Sequence, residues 1–240
     1  MAQEILAISD LRKRFGPRDV LAGVDLCVAH GECVALLGAS GSGKTTLLRL
    51  IAGFDDADAG TIRIHGVLAN NPSVLIAPRD RRLAMVFQEL ALWPHLRAWE
   101  NVEFMLPRAI RGGKPRMAKA MELLEAVRLR GHHDCYPHQL SRGQQQSVAL
   151  ARALASEPEI LLLDEPFASQ DADLKRQMVD LVREIRGAKP VTTIYVTHTT
   201  PEISALADRV ALLEAGTIRR VESLNQWNQP ERIDENPSPA

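Results

Sequence analysis

From Val24 to Val28 apolar and polar residues alternate, the period of a strand with one buried face. His30-Gly31-Glu32 then reads as a turn. Cys33-Val34-Ala35-Leu36-Leu37 follows without a polar residue, as in a strand covered on both faces. Together the two segments predict a hairpin feeding a core strand. Lys44 to Ala52 sets Leu47, Leu48 and Ile51 at helical spacing and stops at Gly53. Thr61 to Ile64 predicts a short strand with a turn at His65-Gly66, and Leu83 to Phe87 a buried strand.

Beyond Trp99 the pattern turns mostly helical as far as Glu157, clearest over Ala118 to Val127 and Gly143 to Ala155, with a break at Arg111-Gly112-Gly113-Lys114-Pro115. Ile160-Leu161-Leu162-Leu163 returns to a buried strand. An amphipathic helix is predicted over Asp171 to Ile185, a β-branched strand over Val191 to Val196, and a short helix over Pro201 to Leu206. Arg209 to Val221 predicts a hairpin around Glu214-Ala215-Gly216. Buried strands alternating with helices imply an α/β fold with a mostly parallel sheet. The helical stretch, about residues 92–157, interrupts it as an inserted subdomain. One domain is expected over residues 1–221, and a flexible tail over 222–240.

Composition narrows the possible functions. Lys and Arg number 29 against 30 Asp and Glu, a formal charge of −1, so no bulk positive field favours nucleic acid. Aromatics are 4%, too sparse for base-stacking platforms. No apolar run is long enough to span a bilayer, and the start of the chain shows no secretory signal. Cys27, Cys33 and Cys135 lack metal-ligand spacing and are expected as reduced thiols.

The strongest chemical signal is Gly38-Ala39-Ser40-Gly41-Ser42-Gly43-Lys44-Thr45, which fits the phosphate-binding P-loop between a strand and a helix. Its glycines let successive N–H groups curl around an oxyanion. The helix that follows turns its positive end toward phosphate. Lys44 reaches the β- and γ-phosphates of a nucleotide, the Thr45 hydroxyl suits Mg²⁺, and Thr46 suits the α-phosphate. A second signal is the apolar strand ending in Asp164-Glu165-Pro166. Asp164 fits the Walker-B carboxylate that holds Mg²⁺. Glu165 is suited to orient and deprotonate an attacking water, which favours ATP hydrolysis over transfer to a metabolite.

Leu140-Ser141-Arg142-Gly143-Gln144, about twenty residues before the Walker-B strand, resembles the Leu-Ser-Gly-Gly-Gln signature of ATP-binding cassette (ABC) ATPases. With the P-loop before it and Asp164-Glu165 after it, the resemblance covers Ile5 to Val221. It implies an α/β P-loop NTPase core with a mostly parallel sheet, an N-terminal antiparallel β subdomain and an inserted helical subdomain. It implies that Phe15 stacks on adenine. It makes Gln88 the Q-loop glutamine near Mg²⁺ and the γ-phosphate, and His198 the switch histidine that donates to a γ-phosphate oxygen. It also implies a head-to-tail dimer on ATP binding, in which Ser141, Gly143 and Gln144 of one ATPase subunit reach the nucleotide of the other.

Three positions depart from the family pattern. Arg142 replaces the first signature glycine, and its side chain is expected to point away from the nucleotide. Gln170 stands where the family has Leu, and Thr199-Thr200 follows His198 where importers carry an acidic residue. The stretch Phe87 to Val102 is similar to importer cassettes, where a coupling helix of the membrane subunit docks. Leu92, Trp93 and Leu96 are expected to form an exposed apolar patch there. The resemblance thus implies an ATPase subunit at the cytoplasmic face of a membrane, with permease partners and a solute-binding protein. An exporter or lipid-transporter cassette stays open as an alternative. A soluble ABC ATPase is disfavoured by chain length, and a P-loop kinase by the signature and Glu165. No regulatory domain is expected after the cassette.

Overall fold

The computed structural model describes residues 3–167, 172–197 and 200–227. The chain opens with two long strands, β1 (Glu4–Phe15) and β2 (Arg18–Ala29), paired antiparallel. There follow β3 (Cys33–Leu37), α1 (Lys44–Ala52), β4 (Ala59–Ile64), β5 (Val67–Asn71) and β6 (Val74–Leu75). β7 (Leu83–Val86) leads into three helices, α2 (Ala98–Glu103), α3 (Gly113–Ala126) and α4 (Arg142–Ala155). The chain then runs through β8 (Ile160–Asp164), α5 (Ala172–Ala188), β9 (Thr192–Val196), α6 (Thr200–Leu206), β10 (Arg209–Glu214), β11 (Thr217–Ser223) and α7 (Leu224–Trp227).

Two sheets result. One is antiparallel, in the order β2-β1-β4-β5-β6. The other is β11-β10-β3-β9-β8-β7, parallel except for the β10–β11 hairpin at its edge. The apolar run of β8 is explained by its two faces. Ile160 and Leu162 join α1 and the antiparallel sheet in one core, whereas Leu161 and Leu163 join α2–α5 in another. Alternate residues of a strand point to opposite faces, so a strand between two cores has no position for a polar residue until Asp164.

The expected hairpin between Val24–Val28 and Cys33–Leu37 does not form. The turn hands the chain from one sheet to the other instead. Its groups are engaged elsewhere: Gly31 N donates to Thr192 Oγ1 at 2.9 Å, and Thr193 N donates to Glu32 O at 2.8 Å. β2 pairs with β1, a strand whose alternation is broken by register shifts between Ile8 and Leu11 and between Leu11 and Arg12. Each bulge moves the apolar period to the other face, which hid β1 from a period-2 reading. The break expected over 111–115 holds only at its first two residues, because α3 begins at Gly113.

The boundary expected at residue 221 also moves. β11 continues to Ser223 and α7 follows. Leu224 and Trp227 pack against Ala35, Ile203, Ala207 and Val210, so residues 222–227 belong to the folded body. The rest of the expected tail, 228–240, lies outside the described residues. All three cysteines are free thiols. Cys33 is buried, which pushes its pKa up to about 12, whereas Cys27 is exposed.

Candidate active site

The P-loop connects the C-terminal end of β3 to the N-terminus of α1, where a parallel sheet leaves a crevice. Gly43 is the N-cap of α1 with φ 109°, and no side chain caps it. The first N–H groups of the helix are therefore left for a ligand. A Cβ on Gly43 would meet Leu21 Cδ2 at 2.7 Å, and one on Gly38 would meet Leu213 O at 2.2 Å. The loop is thus wedged between β2 and β10 in a form that only glycine permits at these two positions.

Lys44 is 5% exposed. Its ammonium donates to Gly38 O at 2.8 Å and Ala39 O at 3.0 Å, so it lies folded over the concave loop. Burial lowers its pKa, and the carboxylates of Glu165 and Asp164 oppose that shift. Thr45 Oγ1 donates to Asp164 Oδ1 at 3.3 Å. Burial raises the Asp164 pKa, with Glu165 adding to the shift while the Thr45 bond and Lys44 oppose it.

Glu165 sits just beyond β8 at φ 45°, in the left-handed region. Its N–H donates to Val196 O at 3.1 Å. Such a conformation in a non-glycine residue is costly. Here it turns the chain so that Asp164 meets Thr45 while Glu165 lines the cleft.

That cleft, about 390 Å³, is lined by Ser40, Gly41, Gly43, Lys44, Thr45, Thr46, Gln88 and Glu165, together with Arg18 and Val20. The structure therefore gathers residues from the P-loop, the turn after β7 and the end of β8. Phe15 and the signature residues do not line it. Phe15 is 50% exposed at the end of β1, with Lys13 Nζ 5.4 Å from its ring centroid. Ser141 caps α4: its Oγ accepts from Gln144 N at 3.3 Å, while Gln144 Oε1 accepts from Ser141 N at 2.9 Å. Gly143 is buried, and a Cβ there would lie 2.6 Å from Leu174 Cδ2. Arg142 Nη2 donates to Gln88 O at 3.0 Å. His198, Gln170 and Thr199 lie outside the described residues.

Sequence reasoning missed Arg18, whose Nη2 donates to Gly41 O at 3.1 Å. The available signal was a cation three residues beyond Phe15, just after the Gly16-Pro17 turn. It also missed Arg81, 3% exposed, which donates to Leu50 O and Ile51 O at the C-terminal end of α1 and to Ile76 O and Ala69 O. The expected patch differs as well. Leu92 packs on the helical core, and Trp93 is half-buried between Phe104 and Arg152, at 4.8 Å and 5.0 Å from its ring. The exposed apolar side chains nearby are Phe54, Phe104 and Met105. A groove of about 890 Å³ lies beside them, lined by Phe54, Phe87, Trp93, Met105 and Arg152 among others.

A divalent cation of the Mg²⁺ type needs oxygen ligands, of which protein usually supplies one or two. Thr45 Oγ1 and Asp164 Oδ1 converge as such a pair beside the loop. Among the described residues no group of three or more His, Cys, Asp or Glu forms a self-sufficient metal cage. The donors present fit an ion that takes its remaining ligands from phosphate and water.

Fold and site together define a P-loop NTPase of the cassette type. The profile of the ABC transporter family matches residues 21–168, and the chain belongs to that family. It is 46% identical over 232 residues to the sulfate/thiosulfate import ATP-binding protein CysA of Xylella fastidiosa, covering 94% of this chain and 65% of the relative. CysA of Escherichia coli K12 is 42% identical over 230 residues, covering 94% and 62%. The chain thus spans about 65% or less of the length of these relatives. The dimeric structure of MJ0796, a bacterial ABC transporter cassette, matches with TM-score 0.83 at 31% identity, covering 92% of this chain and 99% of that one. A dimeric post-hydrolysis state of the same cassette, bound to ADP and Pi, matches with TM-score 0.82. No helix among the described residues is long and apolar enough to cross a membrane.

Proposed function

We propose that this chain is the Mg²⁺-dependent ATP-binding and ATP-hydrolysing subunit of an ABC importer. The observation that carries this reading is the convergence of the P-loop, Lys44, Thr45, Gln88 and Glu165 on one cleft. The loop N–H groups and Lys44 hold the β- and γ-phosphates, Lys44 exchanging two backbone carbonyls for phosphate oxygens. Phe15 stacks on the adenine. Asp164, Thr45 and Gln88 would hold Mg²⁺, which when bound would offset phosphate charge. Glu165 accepts a proton from the attacking water as its oxygen bonds to the γ-phosphorus. The bond from that phosphorus to the β–γ bridging oxygen breaks, releasing ADP and phosphate. His198 donates to a γ-phosphate oxygen.

Ser141, Gly143 and Gln144 stand away from their own chain's cleft, which supports a head-to-tail dimer where they complete the partner's site. The solved MJ0796 cassette is dimeric, which supports dimerisation of this chain. Closure of that dimer on ATP, and its opening after hydrolysis, is a ligand-dependent two-state element. The groove beside Phe54, Trp93 and Met105 suits a helix of a membrane permease, which would hold the chain peripherally at the cytoplasmic face. The import direction follows the CysA relatives, which are sulfate/thiosulfate import ATP-binding proteins. A solute-binding protein then delivers cargo on the far side. The cassette extends at least to Trp227, with residues 92–157 as its inserted helical part.

The test is nucleotide titration and ATPase assay of the full chain and of Lys44→Ala. Mg-ATP binding and turnover are expected in the parent and collapse in the variant. Unchanged nucleotide binding in Lys44→Ala would overturn the site assignment.

A further inference from the structure

The turn after β7 carries an unusual backbone. Leu90 and Ala91 both have φ 47°, a left-handed pair without a glycine, which persists only where the surroundings impose it. The surroundings here are two arginines of one helix. Arg152 of α4 donates to Leu90 O at 2.7 Å and to Ala91 O, with its guanidinium 5.0 Å from the centre of the Trp93 ring. Arg142, ten residues earlier on α4, donates to Gln88 O at 3.0 Å. Arg152 is held by burial and by the aromatic ring, whereas Arg142 is exposed at the helix start. A glycine at position 142 has no side chain to make that bond.

We propose that Arg142 is a positioning residue that fixes Gln88 in the cleft through its carbonyl, so that the start of α4 and the glutamine turn move as one body. Gln88 lines the cleft with Lys44, Thr45 and Glu165. Its side chain is exposed and its peptide lies outside the regular ladder. Arg152 acts two and three residues further on, so the bond from Arg142 is the side-chain tether on the Gln88 carbonyl itself. The residue that the family pattern left unexplained is thus a link within one subunit, between the helix that faces a partner's nucleotide and the glutamine that faces its own. This inference rests on the proposed ATP hydrolysis only for its kinetic consequence, not for the tether.

The test uses the full chain in four forms: parent, Arg142→Gly, Arg142→Lys and Arg142→Met. Amide hydrogen exchange over residues 87–91, without nucleotide, is expected to be faster in Arg142→Gly and Arg142→Met and near parental in Arg142→Lys, whose ammonium still donates to a carbonyl. Unchanged exchange in Arg142→Met would overturn the tether whether or not the protein hydrolyses ATP. In ATPase assays kcat is expected to fall about fivefold in Arg142→Met, the order of effect of one exposed charge-assisted hydrogen bond, with KM for ATP unchanged and kcat largely restored in Arg142→Lys. In a Gln88→Ala background the same substitution should have no further effect, because coupled residues are not additive. Full multiplication of the two effects would show that Arg142 acts independently of Gln88 and would overturn the proposal. A parent without ATPase activity but with the expected exchange pattern would refute the hydrolysis reading and leave the tether standing.

Discussion

Thr45 Oγ1 donates to Asp164 Oδ1 at 3.3 Å, although the two residues lie 119 positions apart. The contact joins the first turn of α1 to the end of β8 beneath the P-loop. It places a hydroxyl and a buried carboxylate together where a phosphate-bound cation would need both.

Burial of Asp164 has a thermodynamic consequence. Its pKa in the fold lies above the ordinary value, so the folded chain holds that proton more tightly than the unfolded chain. The contribution to stability is therefore lost as pH rises from the unfolded value through the folded one, and neutral pH lies on the unfavourable side. Asp164→Asn is expected to raise the Tm of the nucleotide-free chain. The same change should abolish Mg²⁺-dependent hydrolysis. Thermal melts with and without Mg-ATP check this; a lower Tm without nucleotide would contradict the assignment of Asp164 as a destabilising, function-bearing charge.

Arg81 carries a different cost. It donates to four carbonyls, with no counter-ion among the described residues, and burial pushes its pKa down to about 10. Arg81→Leu should destabilise the fold by about 3 kcal/mol, because buried acceptors lose their donors. Urea unfolding measures it, and a change below about 0.5 kcal/mol, the range of an ordinary surface substitution, would contradict this role.

The trans arrangement is tested with mixed subunits. Ser141→Arg fills the interface and Lys44→Ala empties the phosphate grip, so each variant alone should fail to dimerise with ATP. In the mixed dimer one composite site carries both defects and the other neither. Partial recovery of ATP-driven dimerisation is expected by light scattering, and its complete absence would count against the head-to-tail dimer.

The parts of the fold legible in the sequence were those whose local period and global role agree. β3 and β8 are apolar runs and β9 is a β-branched run, each buried inside the sheet, and α1 spans Lys44 to Ala52 between Gly43 and Gly53. The P-loop and Asp164-Glu165 were legible because phosphate and Mg²⁺ chemistry fixes residue types at short spacing. The parts that escaped depend on distant partners. The alternation of β1 is cut by bulges matched to β2 and β4. The missing β2–β3 hairpin turns on Thr192 and Thr193, far along the chain. Arg18, Arg81 and Arg142 act on backbone carbonyls brought up by the fold, and a carbonyl leaves no mark in a sequence.

In the proposed mechanism Glu165 takes the proton from the hydrolytic water in a cleft built by the P-loop. Glu165→Gln preserves shape and hydrogen bonding but accepts no proton. Glu165→Gln is expected to bind Mg-ATP with parental affinity, to hydrolyse it about 10²–10⁴-fold more slowly, and to accumulate as an ATP-bound dimer in light scattering. Hydrolysis by Glu165→Gln at the parental rate would contradict it.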